Sequence, residues 1–297
     1  MFQAFDGPGA FRRGNLHCHS TRSDGELSPE RVCAFYREAG YGFVAITDHF
    51  RKKHGFPVTD TAPFRDEGFT TLLGAELHAG RIESGETWHI LAVGLPEGFA
   101  PTRKEESGPD LARRALDAGA FVALPHPEWY ALTLTDGLSM PEIHAVEAFN
   151  AIARTEGREG GSYLLDQMLN AGRRVGAIAT DDAHWYREDA LGGWVMVRSE
   201  ANEPEAILAA LKAGAYYASS GPEIRRAEIS GEHLAVECSP VEHAALLGAG
   251  KRAEPLSGRA MTRLRLPLAP FAGGWARLVL RDAAGGRAWG QPFDVPG

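Results

Sequence analysis

Short runs of consecutive apolar residues recur through the first 222 residues, and they limit the fold more than any other feature of the sequence. Phe43–Ile46 and Phe121–Leu124 are two of these runs. Such runs are typical of parallel strands that are buried on both faces. Segments with helical periodicity lie between them, as at residues 107–118. This alternation predicts an α/β fold, either a barrel or an open doubly wound sheet.

Capping residues mark where the helices begin and end. Ser28 precedes Pro29, the order expected of an N-cap and a first helical position, and Gly40 is placed to end that helix. Further helices are predicted at residues 107–118, 162–171 and 204–212. Strands are predicted up to His19 and at residues 43–46, 71–76, 89–93, 121–124, 146–149, 175–179 and 194–197. A strand, a helix and a second strand in this order imply a parallel crossover.

One pair of predicted strands departs from this alternation. A polar loop containing Ser84-Gly85 separates the strands at residues 71–76 and 89–93, which indicates a hairpin. With the turn centred near Ile82 and Glu83, Glu76 and His89 would lie opposite one another.

The pattern of apolar and polar residues changes near Ile224. Short alternating segments at residues 227–236, 263–268 and 277–281 are separated by glycine, proline and serine, and no helical pattern is evident. We therefore predict two domains, an α/β domain at residues 1–222 and a small all-β, sandwich-like domain at residues 223–297.

Composition limits which partners the protein can bind and which cellular compartment it occupies. The formal net charge is -8, which gives no broad basic surface for nucleic acid. The chain has 3 cysteines, an odd number that argues against a disulfide framework and for a reducing compartment. The N-terminus lacks a signal-peptide core, and no apolar run is long enough to span a membrane. We expect a cytoplasmic protein that acts on a small molecule, away from membranes.

Histidines and carboxylates follow many of the predicted strands. In His17-x-His19, spacing by two residues directs both imidazoles to one face of an extended segment, and Asp182-x-His184 repeats this spacing. The full set of predicted metal ligands is His17, His19, Asp24, His49, Glu76, His89, His126, Asp182 and His184. Because strand C-terminal ends share one edge or mouth, these side chains are expected to meet there. Nitrogen and oxygen donors without thiolate suit Zn, Mn or Fe.

The motifs taken together resemble those of the PHP (polymerase and histidinol phosphatase) family of metal-dependent phosphoesterases. They are His-x-His-Ser, Thr-Asp-His, Gly-x-Glu, Pro-His-Pro and Asp-x-His, within residues 12–222. The resemblance implies a distorted seven-stranded β/α barrel, similar to a TIM barrel, with two to three divalent ions at its mouth. One ion would be held by His17, His19, Glu76 and Asp182, a second by Asp24, His49 and His184, and a third by Glu76, His89 and His126.

Such a trinuclear centre has a direct chemical use. A metal can lower the pKa of its bound water from about 15.7 to roughly 7. We therefore predict a metal-bound hydroxide, held by Glu76, Asp182 and His184, that attacks phosphorus.

Several residues near these motifs have more than one possible role. Arg51, Lys52 and Lys53 could bind a phosphate or form a solvated charge run, and Arg154 is a further phosphate-binding candidate. Asp48 and Asp181 could orient an imidazole or cap a strand end. The remaining histidines, treated as structural, are His54, His78, His144, His233 and His243.

Three functions stay open from the sequence. The favoured one is hydrolysis of a small phosphorylated molecule. The resemblance implies that PHP members acting on nucleotides often carry a long insertion between these motifs, and the short segment between His89 and His126 leaves no room for it, which argues against nucleotides. That short segment and the C-terminal β region are similar to a PHP branch associated with carbamate-ester (carbaryl-type) hydrolysis, which makes a carboxylic or carbamate ester hydrolase the second. A non-catalytic binding module stabilised by metal is the third.

Overall fold

A computed structural model describes residues 3–297, and these residues form a mixed α/β structure with one large sheet. Its helices are α1 (Gln3–Asp6), α2 (Pro29–Glu38), α3 (Gly108–Asp117), α4 (Leu134–Ser139), α5 (Ser162–Asn170) and α6 (Pro204–Lys212). Its first ten strands are β1 (Ala10–Asn15), β2 (Phe43–Ile46), β3 (His49–Phe50), β4 (Thr70–Arg81), β5 (Thr87–Val93), β6 (Phe121–Leu124), β7 (Ala145–Asn150), β8 (Gly176–Thr180), β9 (Trp194–Ser199) and β10 (Tyr216–Ser219). The last six are β11 (Ile224–Ser230), β12 (His233–Gly248), β13 (Ala253–Pro267), β14 (Gly274–Arg281), β15 (Arg287–Trp289) and β16 (Phe293–Val295). The predicted α/β class is confirmed.

Seven strands of the first 222 residues lie side by side in the order β1, β2, β4, β5, β6, β7, β8. Parallel pairs flank the antiparallel pairs that β5 forms with β4 and β6. The segments that follow β1 and β8 contact each other. Cys18 forms an isolated β-bridge with Ala183, and the Asp182 amide donates a hydrogen bond of 2.8 Å to the His17 carbonyl. The C-terminal ends of the six parallel strands thereby surround one centre, while β5 runs in the opposite direction. The seven-stranded barrel itself stays a prediction.

The helix boundaries follow the capping residues. The Ser28 side chain accepts a hydrogen bond from the Arg31 amide, Pro29 opens α2, and Gly40 lies just beyond it with φ of +79°. Ser107 caps α3 in the same way, through the Asp110 amide. These starts and stops are confirmed to within a residue or two. The short helix α4 was not predicted, although Thr133 and Asp136 form a capping box at its start.

The hairpin of β4 and β5 forms, but in a different register from the one predicted. The turn spans Ile82 to Glu86, His78 lies opposite His89, and Glu76 lies opposite Leu91. The predicted pairing of Glu76 with His89 is therefore wrong by two residues. Since side chains two apart share a face, Glu76 and His89 still project to the same side of the sheet.

The first strand also ends earlier than predicted. β1 stops at Asn15, and His17 and His19 lie in the extended segment that follows it. The bridge at Cys18 keeps this segment extended, so the alternation of side chains continues through both histidines.

Residues 223–297, called here the C-terminal β region, contain strands β11 to β16. The predicted single segment at residues 227–236 is instead a hairpin of β11 and β12 that turns at Gly231, where φ is +61°. Strand β15 pairs with β10, so the region continues the large sheet. Its buried core is apolar and includes Leu234, Leu246 and Leu278. The domain boundary near residue 222 stays a prediction, and the first two residues of the predicted first domain lie outside the described residues.

Two compositional expectations bear on the structure directly. All three cysteines (Cys18, Cys33 and Cys238) are buried, and none forms a disulfide among residues 3–297. Across the same residues, no helix has both the length and the apolar character needed to traverse a bilayer.

Candidate metal centre

A group of imidazoles and carboxylates lies near the end of the sheet where the parallel strands finish, with Glu76 inside β4 and His89 inside β5, and we call it the ligand cluster. It contains all nine predicted residues, namely His17, His19, Asp24, His49, Glu76, His89, His126, Asp182 and His184. They fall into overlapping groups whose donor atoms lie within 4.8 Å of one another. Most of these side chains are buried, while the Asp24 carboxylate is 41% exposed and marks the side open to solvent.

His17 is held from behind by a carboxylate. Its Nδ1 lies 2.7 Å from Glu147 Oε1, so Nε2 faces the cluster at 3.2 Å from Asp182 Oδ1. Burial alone would lower the pKa of His17, but Asp182 and Glu147 raise it well above its ordinary value. The contact with Glu147 fixes which ring nitrogen is free to bind a metal.

Glu147 is a site residue that the sequence analysis missed. Besides His17, its carboxylate accepts hydrogen bonds from the His126 amide (2.6 Å), Thr180 Oγ1 (2.7 Å) and Asn150 Nδ2 (2.9 Å). It is fully buried in β7. A charged residue inside an otherwise apolar strand was the available signal, because a carboxylate is not buried without partners.

Glu76 lies at the middle of the ligand cluster. Its Oε1 is 2.6 Å from His89 Nδ1 and 3.0 Å from His126 Nε2, while Oε2 contacts His49 Nδ1. Burial by itself would raise the pKa of Glu76, but the imidazoles of His89 and His49 outweigh it and lower the pKa well below the usual range. The carboxylate is therefore ionised and can bridge neighbouring cations.

Asp24 closes the solvent side of the cluster. Its carboxylate lies 3.4 Å from His49 Nε2 and 3.5 Å from His184 Nε2. His184 Nδ1 lies 2.8 Å from the Asp182 carbonyl, to which it can donate, which leaves Nε2 directed at Asp24. Burial alone would lower the pKa of His49, but Glu76 and Asp24 raise it to about 10.

The two aspartates beside the ligands support the site without touching the imidazoles they precede. Asp48 accepts hydrogen bonds from the Ser20 amide at 2.8 Å and from Ser23 Oγ at 2.7 Å, so it shapes the loop that carries Asp24. Asp181 accepts from Tyr36 Oη at 2.8 Å and from the amides of residues 191–193. Their hydrogen bonds thus go to neighbouring loops and, for Asp181, to Tyr36 of α2, rather than to His49 or His184.

Two cluster residues have an unusual backbone. His126 and Asp182 have φ of +33° and +55°, in the left-handed region that residues other than glycine rarely adopt. The Asp182 conformation is held by its amide, which donates to the His17 carbonyl. Such conformations cluster at functional sites, where surrounding structure must hold them.

His78, predicted to be structural, also lies in the ligand cluster. Its Nε2 is 2.9 Å from His49 Nδ1 and 3.8 Å from Glu76 Oε2. Glu76-x-His78 repeats the two-residue spacing of His17-x-His19, which is the signal that would have found it.

The basic residues predicted to bind a phosphate separate in the structure. The Arg51 guanidinium lies inside the cluster, with Nη2 3.1 Å from His89 Nε2 and 3.2 Å from His78 Nδ1. Lys52 and Lys53 are exposed in the short 3-10 helix that follows. Arg154 packs over the Phe149 ring, 5.1 Å from its centroid.

The donor set fits divalent cations. His17 Nε2 and Glu76 Oε2 are buried and make no hydrogen bond with any described residue. His17 Nε2 lies 3.2 Å from Asp182 Oδ1 and Glu76 Oε2 contacts His49 Nδ1, so both atoms belong to groups that could hold a metal ion in a shared space. Imidazole and carboxylate donors around that space suit Zn, Mn or Fe.

Comparison with known proteins relates this site to a known fold. Neither a protein-family profile nor a curated protein matches the sequence. A two-domain protein from Bacteroides vulgatus, described as containing a predicted PHP-like metal-dependent phosphoesterase, is similar in structure, with a TM-score of 0.52, 17% identity and 94% of each chain covered.

Two further solved structures are similar over a smaller share of this chain. One is a putative metal-dependent phosphoesterase from Bifidobacterium adolescentis (TM-score 0.44, 15% identity, 60% of this chain and 90% of that one). The other is an amidohydrolase from Chromobacterium violaceum with bound sulfate and no metal (TM-score 0.46, 16% identity, 59% and 89%). On the likeness to the Bacteroides protein, this chain has the fold of a PHP-like protein, as its motifs predicted.

Proposed function

We propose that this protein is a metal-dependent phosphoesterase that hydrolyses a small phosphorylated molecule. The observation that carries the proposal is the convergence of buried imidazoles and carboxylates whose donor atoms lie within 4.8 Å of one another, including His17 Nε2 and Glu76 Oε2, which make no hydrogen bond with the described residues. The mouth of a β/α barrel is where sites of this kind are built. The similarity to a PHP-like protein supports the same reading.

The contacts favour two ligand sets. One ion would be held by His17, His19, Glu76 and Asp182, and a second by Asp24, His49 and His184. Within the first set, the donor atoms of His17, His19 and Glu76 lie within 4.8 Å of one another, and Asp182 Oδ1 lies 3.0 Å from His19 Nε2. The donor atoms of the second set also lie within 4.8 Å of one another. A third set, Glu76, His89 and His126, shares the Glu76 carboxylate.

The chain's own residues would divide the work around these ions. Divalent cations supply Lewis acidity and lower the pKa of a coordinated water. Glu76 and Asp182 balance the positive charge, which would otherwise make neighbouring cations repel. Glu147 and the Asp182 carbonyl fix the tautomers of His17 and His184. Arg51, whose buried Nε makes no hydrogen bond with the described residues, can present a fixed donor to a phosphate oxygen.

A phosphate ester suits this arrangement better than an uncharged ester. Bound cations and the Arg51 guanidinium together would favour a substrate that carries negative charge. A carbamate or carboxylic ester would use the cations but not need the guanidinium. Metals retained for stability alone usually have four closed ligands, whereas Asp24 is exposed at the edge of this cluster.

A substrate panel with metal analysis tests the proposal. Protein reconstituted with Mn²⁺ is assayed on aryl phosphate monoesters, aryl phosphate diesters and aryl carbamates, alongside His17→Ala and the control His233→Ala. His233 lies in the C-terminal β region, away from the cluster. We expect phosphate-ester hydrolysis by the wild type and by His233→Ala, and loss of both metal and rate in His17→Ala. Turnover of carbamates alone, or metal-loaded protein inert on every ester, would contradict it.

A further inference from the structure

The Arg51 guanidinium lies against the same imidazole that the third ligand set requires. Its Nη2 is 3.1 Å from His89 Nε2 and 3.2 Å from His78 Nδ1. Arginine has five N–H donors and no acceptor, and it stays protonated in proteins. His89 Nε2 must therefore accept from Arg51, which assigns the tautomer of a neutral His89.

This assignment decides what His89 can do on its other side. With Nε2 accepting from Arg51, a neutral ring carries its proton on Nδ1. That nitrogen lies 2.6 Å from Glu76 Oε1, a distance suited to an N–H donating to a carboxylate. Nδ1 then has no lone pair to offer a metal. The third set is left with Glu76 and His126, whose Nε2 lies 3.0 Å from Glu76 Oε1.

Charge points in the same direction. The guanidinium sits behind His89, one ring away from Glu76, in a region that is mostly buried. A third divalent ion beside Glu76 would meet this fixed positive charge in a medium that screens it poorly. Glu76 is already surrounded by the imidazoles of His49, His89 and His126.

We propose that Arg51 takes the place of the third cation, so that the chain binds two divalent ions and His89 serves as a hydrogen-bond donor that orients Glu76. The proposal rests on the proposed metal-dependent function and deepens it. Arg51 is then a positioning residue, acting on Glu76 through His89, and its guanidinium supplies a charge that does not depend on metal supply.

Metal stoichiometry measures this directly. Each protein is loaded with Mn²⁺, freed of excess ion by gel filtration, and analysed for ions per chain. We expect two ions in the wild type, three in Arg51→Met, and two in the control Lys52→Met, whose side chain is exposed next to Arg51. The double variant Arg51→Met/His89→Gln should return to two, since removing His89 removes the third site.

The outcomes separate this inference from the function on which it rests. Three ions in the wild type, or two in a folded Arg51→Met, would overturn the role of Arg51 and leave the metalloenzyme standing. Fewer than one ion in the wild type would overturn both. If Arg51→Met does not fold, the single variant His89→Gln tests the role of His89 instead. The number of bound ions stays at two if His89 is a hydrogen-bond donor, and it falls from three to two if His89 is a metal ligand.

Discussion

The ligand cluster and the C-terminal β region bury side chains for opposite reasons. In the β region the buried residues are apolar, as with Leu246, Phe271 and Leu278. The buried charge there, Arg277, is paired with Asp166 through two hydrogen bonds of 2.6 and 2.8 Å, although its Nη1 makes no hydrogen bond with the described residues. In the ligand cluster, ionisable groups are buried and some of their acceptors stay unpaired. Burial stabilises the first region, while in the second it is a cost that metal binding can offset.

The same contrast appears between two buried glutamates. Glu147 accepts four hydrogen bonds from the chain and is complete without a ligand. Glu76 faces imidazoles on all sides, and its Oε2, which is in ionic contact with His49 Nδ1, makes no well-aligned hydrogen bond with any residue from 3 to 297. A carboxylate that the fold satisfies is a support, and one that the fold leaves open is a ligand. The predictions below test this distinction, starting with the largest expected effect.

Replacing the central carboxylate should have the largest effect. Glu76→Gln keeps the shape but removes the charge that balances the cations, so we expect hydrolysis to fall by more than about a thousandfold, or roughly 4 kcal/mol in the barrier. Steady-state rates and elemental analysis measure this. Glu237→Gln, an exposed position of the β region, is the matched control and should change neither. A Glu76→Gln protein that retains metal and activity would break the distinction.

A core truncation in the β region should affect stability alone. Leu246 is fully buried and lies opposite Leu278 in the sheet. Leu246→Ala should lower the free energy of unfolding by about 2–5 kcal/mol, since it removes buried methyl groups and leaves a cavity. Denaturant unfolding gives the value, and metal content per folded chain should be unchanged. Loss of metal in this variant would show that the two regions are coupled.

The supporting glutamate should have an intermediate effect on the metal. In Glu147→Gln an amide NH₂ replaces one acceptor oxygen, so either His17 or the His126 amide loses its partner. We expect metal affinity to fall by about 10–100-fold, the range typical of residues that orient a ligand. Equilibrium competition with a chelator measures the affinity. An unchanged affinity would mean that His17 is oriented without Glu147.

Metal affinity should also depend on pH. Burial acts to lower the pKa of His17 and of His49, but nearby carboxylates raise both, to about 10 for His49, so in metal-free protein these rings hold a proton at neutral pH. A metal must displace that proton, so affinity should rise about tenfold per pH unit between about pH 6 and pH 8 for each proton released. Calorimetry in buffers of different ionisation enthalpy counts the protons. No proton release would contradict the raised pKa values.

Much of the fold follows from local rules that the sequence contains. Ser28-Pro29 and Ser107 begin helices because their side chains cap the first turn, whatever the tertiary context. The hairpin shows the limit of such rules. Its strands were predicted, but its register was wrong by two residues, because the turn's hydrogen bonds decide where pairing begins.

The residues of the site likewise fall into those that local spacing predicted and those that it did not. Two-residue spacing and strand-end position were enough to select His17, His19, Asp182 and His184, and the fold brings them together. The contributions of Glu147 and Arg51 depend on contacts between side chains that are distant in sequence, such as the 130 residues between His17 and Glu147. Local periodicity carries no information about such contacts.

The sequence by itself determined which segments become strands and helices, and which donor atoms stand where the strands end, because both follow from spacing and capping along the chain. Only the tertiary structure decided which of those donors are satisfied by the protein and which are left for a ligand. Hydrogen bonds and charge balance depend on atoms that lie a few ångströms apart in space. Folding brings residues within that distance that are far apart in the sequence.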